Sequence, residues 1–150
     1  PVYTPMGCFI TAWARYKTIT TAQAVYDRFM YADTDSVHVL GTEPLGIEGI
    51  EVHPTNLGAW KHESNFSQAK YVRAKTYMER IVQVGEMVDG VYTMVDVEPY
   101  NDVKCAGMPE ELKRSVTFDN FKRGLEISGK LRPRHCKGGI VLEPTTFTLT

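Results

Sequence analysis

Between Ile10 and Phe29 the apolar residues recur every three or four positions: Ala12, Tyr16, Ile19, Ala22, Tyr26 and Phe29. Arg15, Gln23 and Asp27 fall elsewhere on the wheel, so the spacing predicts an amphipathic helix. The threonines among them lower its propensity slightly. The period then shortens. Phe29-Met30-Tyr31 and Val37-His38-Val39-Leu40 bracket the more polar Ala32–Ser36, which predicts strand, turn and strand. Residues 41–58, punctuated by four glycines and two prolines, predict a connection with at most one short helix.

From Ser67 to Gln83 the alternation predicts one strand. Val72, Ala74, Thr76 and Met78 then share a face, with Tyr71, Arg73, Lys75, Tyr77 and Glu79 on the other. Val88-Asp89-Gly90-Val91 carries an Asp-Gly hairpin signal, and β-like sequence continues to about Lys104. Cys105-Ala106-Gly107 reads as a boundary, dividing the chain into 1–105 and 106–150. Beyond it, Pro109-Glu110-Glu111 predicts a short helix with Pro in the first turn and acids at the positive end of the dipole. A second short helix is expected from Phe118 to Leu125. A final hairpin is expected from Leu125–Cys136 and Ile140–Leu149 around Lys137-Gly138-Gly139. The fold class is α+β.

Composition adds bounds. The 150 residues suffice for one domain, or one with a small appendage. Three widely spaced cysteines (Cys8, Cys105, Cys136) suit neither a disulfide framework nor a zinc site and read as reduced thiols of a cytoplasmic protein. No apolar run reaches the length of a membrane span, and the first residues lack a secretory leader's pattern. The chain opens on Pro1 rather than Met, so a longer parent is expected. Net charge is −1 but unevenly spread: residues 1–104 hold 9 basic and 13 acidic side chains, residues 105–150 hold 8 and 5. A basic tail on an acidic body suits an anionic partner at one end and cations at the other.

The chemistry concentrates in Tyr31-Ala32-Asp33-Thr34-Asp35-Ser36. Two carboxylates two residues apart, flanked by hydroxyls on a turn, form a set of hard oxygen ligands suited to Mg²⁺. Their mutual repulsion is relieved by a divalent cation, and paired cations of this kind serve phosphoryl transfer. An isolated Asp-x-Asp in a loop is ordinarily a solvated turn, because Asp and Ser favour turns for local reasons. The complete string is another matter: average usage produces it by chance in fewer than about one in ten thousand chains of this length.

Tyr31–Ser36 resembles the Tyr-x-Asp-Thr-Asp-Ser signature, motif C, of the palm of family B DNA polymerases. Other segments resemble the protein-primed, bacteriophage-type branch: Phe9–Tyr16, Trp60–Ser64, Ala69–Tyr71, Lys75–Tyr77, Val103–Met108, Val116–Phe118 and Thr146–Thr148. The resemblance covers most of this chain and the last quarter or so of such an enzyme. It implies that Asp35 is a direct metal ligand, that Asp33 supports or shares the site, and that two Mg²⁺ ions act in the complete enzyme. It implies that Tyr31 packs near the incoming deoxynucleotide. Lys75 and Tyr77 match a Lys-x-Tyr motif that holds the primer terminus, while Thr11 and Arg15 match a motif that contacts template–primer DNA. Residues 1–105 then correspond to the end of the palm, an antiparallel sheet with a packed helix. Residues 106–150 correspond to a thumb ending in a β-hairpin. A terminal, priming protein is an expected partner; a membrane is not.

The residues themselves agree. Thr11 and Arg15, four apart on a helix, reach one face and can clamp a phosphate. Lys75 and Tyr77 on one strand face can meet a phosphate and a sugar or base. Lys130, Arg132 and Arg134 alternate along one strand, with Lys122, Arg123 and Lys137 nearby. That stripe suits duplex contact without base readout, although charges and Pro133 also protect an edge strand. The motif A (Asp-x-x-Ser-Leu-Tyr-Pro) and motif B (Lys-x-x-x-Asn-Ser-x-Tyr-Gly) strings, which resembling enzymes use for a third carboxylate and for triphosphate binding, are not in this sequence. The isolated chain is therefore expected to be inactive. A non-catalytic nucleic-acid-binding module derived from such a polymerase is the alternative; a metal-dependent hydrolase would need a fuller acidic constellation than the spacing supplies.

Overall fold

A computed structural model describes residues 3–43 and 45–150. Helix α1 spans Thr4–Ala24, six residues earlier at its start than the apolar period indicated, because Pro5 sits in the first turn where its missing N–H costs nothing. A single 3₁₀ turn, Tyr26–Arg28, leads into strand β1 (Phe29–Asp33), which pairs antiparallel with β2 (Ser36–Val39). The strand–turn–strand expectation holds, with the turn reduced to Thr34 and Asp35. Met30 is an extra residue on β1, so Phe29 faces Val39 and Tyr31 faces His38.

The apolar face read from the period of α1 is not buried. Tyr16, Ile19 and Tyr26 are exposed, as are Phe9 and Trp13. The buried positions are Thr21 and Val25. Thr21 accepts a hydrogen bond from the Trp60 indole N–H at 3.1 Å, and Lys17 Nζ lies 5.6 Å from the Trp60 ring centroid. Thus the polar Thr21, not the aromatic stripe, marks the side of α1 that packs within these residues.

Apart from Pro44, which lies outside the described residues, 41–58 forms bends and turns without a helix. His53 holds one of them: its Nδ1 accepts from the Thr55 and Asn56 backbone N–H groups at 3.2 and 3.0 Å. Strands β3 (Ser64–Arg73), β4 (Thr76–Val88) and β5 (Val91–Cys105) then form a sheet in that order. Asp89 and Gly90 both have positive φ, as the Asp-Gly hairpin signal requires.

The single strand expected over Ser67–Gln83 is instead a hairpin, turning at Ala74-Lys75 with Lys75 at φ +57°. Alternation continues on both sides of a short turn, so the period alone does not register it. Gly85 on β4 is required by packing: a Cβ there would overlap the Tyr92 hydroxyl, which donates to the His62 carbonyl at 2.7 Å. Burial, and secondarily the Glu63 carboxylate, raise the Tyr92 pKa.

Helix α2 is one turn, Glu110–Lys113, with Pro109 capping it from an extended conformation. The helix expected over Phe118–Leu125 is absent; this stretch is a series of turns. Its polar side chains take the backbone partners a helix would need. The Asn120 side-chain oxygen accepts from the Thr117 N–H at 2.8 Å, and its amide donates to the Ser115 carbonyl at 3.0 Å. Finally β6 (Glu126–Cys136) and β7 (Gly139–Thr148) form the expected hairpin around Lys137-Gly138. Gly129 is an extra residue on β6, at φ +111°.

Contacts divide the chain into two compact units. One comprises residues up to Asn65 together with Gly85–Met94; the other comprises Phe66–Val84 and Val95–Thr150. The second holds the main hydrophobic cluster: Met78, Val103, Cys105, Met108, Val116, Phe121, Phe147 and Leu149.

Candidate functional site

The Asp33–Ser36 tip is a tight structure. Thr34 has φ +48°, a left-handed conformation that costs a side chain of its type about 1–2 kcal/mol. Hydrogen bonds from several directions hold it. The Asp35 N–H donates to the Asp33 carbonyl, closing a three-residue turn. The Thr34 hydroxyl donates to Asp33 Oδ1 at 3.0 Å. The Thr18 hydroxyl, from α1, reaches the Thr34 carbonyl at 3.0 Å while also lying 3.2 Å from the Ala14 carbonyl.

Asp33 is thereby half-buried and engaged, whereas Asp35 stands exposed at the tip. Ser36 Oγ donates to the Asp33 carbonyl at 3.1 Å and lies 3.4 Å from His38 Nε2. The His38 ring packs edge-on against Tyr31, with centroids 5.4 Å apart.

The donor set fits magnesium as far as it goes: two carboxylates and adjacent hydroxyls, all hard oxygens on a fixed backbone. It does not make a full site. Among the described residues no three His, Cys, Asp or Glu side chains gather as a metal cluster.

Thr11 and Arg15 are both exposed on α1. The Thr11 hydroxyl is directed to its own helix, 3.0 Å from the Cys8 carbonyl and 3.2 Å from that of Gly7. Lys75 and Tyr77 do not share a strand face as the alternation suggested, since Lys75 occupies the β3–β4 turn and Tyr77 is on β4. Tyr77 is half-buried. Its ring lies 5.8 Å from that of Tyr71, whose hydroxyl donates to Glu79 Oε1 at 2.9 Å.

The basic stripe on β6 has the alternation expected, opposite Thr145, Glu143 and Val141 of β7. Two of its members have protein neighbours. Arg134 pairs with Glu143 at 2.6 Å, and Lys130 Nζ sits 5.4 Å from the centre of the Phe147 ring. Lys122, Arg123, Arg132 and Lys137 are exposed.

The sequence reading gave no supporting contact to Thr18, Trp60, Lys70 or Glu79, although the last three lie in stretches it singled out. Lys70 donates to the Phe118 carbonyl at 2.6 Å, joining two of the segments that carried the resemblance. The contacts of Thr18, Trp60 and Lys70 cross 16 to 48 positions of chain, and no local spacing announces them.

No family model matches the chain. Over 153 aligned residues, 99% of the chain, it is 51% identical to the DNA polymerase of Bacillus phage phi29. The chain is a homologue of part of the phi29-type DNA polymerases. The DNA polymerase of Streptococcus phage Cp-1 is 38% identical over 149 residues. Those alignments span 26% and 24% of the relatives' lengths, so this chain represents about a quarter of them.

The fold agrees. Phi29 DNA polymerase complexed with primer-template DNA superimposes over 100% of this chain with a TM-score of 0.87. The ternary complex of that enzyme with primer-template DNA and incoming nucleotide does so with a TM-score of 0.85. The superposition takes in the N-terminal helix and the antiparallel sheets, consistent with the α+β class. Among the described residues no helix is long and apolar enough to cross a membrane.

Proposed function

We propose that this chain is the C-terminal palm-and-thumb segment of a protein-primed, template-directed DNA polymerase. The observation that carries the reading is the Asp33–Ser36 tip. A strained two-residue turn, held from α1 and within itself, presents two carboxylates in a sequence context that resembles motif C of family B polymerases. Residues up to 105 are read as the end of the palm and residues 106–150 as the thumb.

In this reading the complete enzyme joins a deoxynucleotide to a primer 3′-hydroxyl, or to a hydroxyl of a terminal protein. The hydroxyl oxygen attacks the α-phosphate in line and pyrophosphate leaves. Two magnesium ions, when bound, supply charge neutralisation at the attacking and leaving oxygens. Asp35, the exposed carboxylate, is the ligand; Asp33, tied to the turn, shapes the site and adds charge.

Tyr31, backed by His38, lines the nucleotide side. Thr11 and Arg15 meet template–primer DNA, Lys75 and Tyr77 hold the primer terminus, and the exposed bases of the thumb meet duplex phosphates. The third carboxylate and the triphosphate-binding helix lie outside these 150 residues. The isolated chain is therefore expected to be inactive.

The test is Asp35→Asn in the full-length polymerase carrying this segment. Primer extension should fall by at least about 10³-fold, with primer–template affinity within about threefold of wild type. Extension at the wild-type rate would overturn the assignment. The exposed basic residues of β6 favour one second reading, a binding module without catalysis. Its mark would be salt-dependent, Mg²⁺-independent duplex binding in a full-length protein whose extension activity is nil before any substitution.

A further inference from the structure

Glu79 is 5% exposed, an uncommon place for a carboxylate, and the reaction just described gives it no role. A buried carboxylate is retained at a cost unless it is hydrogen-bonded, and the Tyr71 hydroxyl donates to Glu79 Oε1 at 2.9 Å. Tyr71 in turn lies against Tyr77, ring centroids 5.8 Å apart and planes inclined by 39°.

The three residues come from both arms of the β3–β4 hairpin, whose turn contains Lys75. Thr76, between Lys75 and Tyr77, is fully buried, as is Met78 beyond. The backbone of this segment is therefore fixed by its buried residues, while the half-buried Tyr77 ring has Tyr71 as a lateral neighbour.

We infer that Glu79 is a positioning residue: its carboxylate fixes Tyr71, and the Tyr71 ring sets the orientation of Tyr77. The inference rests on the reading of Tyr77 as a contact to the primer terminus. A tyrosine ring has two soft torsions, and a neighbour anchored at its hydroxyl removes freedom from both rings. The bond from Tyr71 ends on a side-chain oxygen in a site shielded from water, where leaving it unmade is costly.

The experiment compares four variants of the full-length polymerase: Tyr71→Phe, Glu79→Gln, Glu79→Leu and Tyr77→Ala. The measurements are KM for primer–template, KM for deoxynucleotide, kcat and the thermal midpoint. Tyr71→Phe keeps the ring and removes the bond. It should raise KM for primer–template about tenfold, leaving KM for deoxynucleotide within about twofold and the midpoint nearly unchanged.

Glu79→Gln keeps an acceptor oxygen and should stay near wild type in primer use. Glu79→Leu should resemble Tyr71→Phe. Wild-type primer use by Tyr71→Phe beside a crippled Tyr77→Ala overturns the brace and leaves the function standing. A fall in all parameters that tracks the thermal midpoint overturns it too, showing Glu79 to be structural. Unimpaired Tyr77→Ala removes the primer role of Tyr77 and the brace with it.

Discussion

The chemistry of single side chains is set here by whether a partner reaches them. Three cysteines illustrate it. Cys8 and Cys136 are exposed; Cys105 is buried in the main cluster. Burial raises the Cys105 pKa, and the smaller lowering influences of the Thr76 hydroxyl, Arg73 and Lys113 do not offset it. A raised pKa keeps the neutral thiol to higher pH, and the thiolate is the reactive form. A disulfide reagent at pH 7–8 should therefore modify Cys8 and Cys136 quickly, and Cys105 only on unfolding. Fast modification of Cys105 in the folded chain would contradict this burial. The same contrast separates the two motif aspartates: composition and spacing present them as equals, but it is the Asp33 carboxylate that accepts a side-chain hydrogen bond within the turn, while Asp35 contributes its backbone N–H and leaves its side chain exposed.

At the scale of elements, the sequence was legible wherever one residue type forces one geometry. Asp89-Gly90 and Lys137-Gly138 announced their hairpins, and the polar tip between Tyr31 and Val37 announced another. It was less legible where side chains compete with the backbone, as Asn120 and Thr117 do in place of a helix. It was silent at Ala74-Lys75, where neither glycine nor proline marks a turn and the alternation persists through it. The β6–β7 hairpin shows what pattern alone misses about charge. Arg134 is paired with Glu143, an exposed pair worth about 0–1 kcal/mol to stability, whereas Arg132, opposite Glu143 in the ladder, makes no ion pair of its own among the described residues. In the full-length polymerase, Arg132→Glu should weaken duplex binding and lower the magnitude of its log–log salt slope by about one. Binding at 50 and 200 mM salt measures it; an unchanged slope would remove Arg132 from the interface.

At the scale of the whole molecule, burial is concentrated in the second unit. Phe121 and Leu149 are fully buried there, from segments that share no periodic pattern, so this core was the least legible part of the fold. Phe121→Ala should cost about 3–5 kcal/mol and lower the thermal midpoint by roughly 10 °C or more, measured by circular dichroism. A shift of a degree or two would mean that the cluster is not the seat of stability. The apolar stripe read over Ile10–Phe29 is the converse: its last two members, Tyr26 and Phe29, lie beyond the end of α1 at Ala24, and the burial it implied did not follow. Phe9, Trp13 and Tyr26 are each more than 70% exposed, a surface of the sort that ordinarily meets another part of a structure.

The Thr18 bond to the Thr34 carbonyl ties the motif turn to α1. Thr11 and Thr18 lie seven residues apart, roughly 10 Å along a helix that transmits force without bending much. Thr11 and Arg15 stand on the same helix that holds the strained Thr34 turn. One helix thus gives the proposed template–primer contacts and the two carboxylates a common frame, and a change in the pitch of α1 at Thr18 would alter the distance between them.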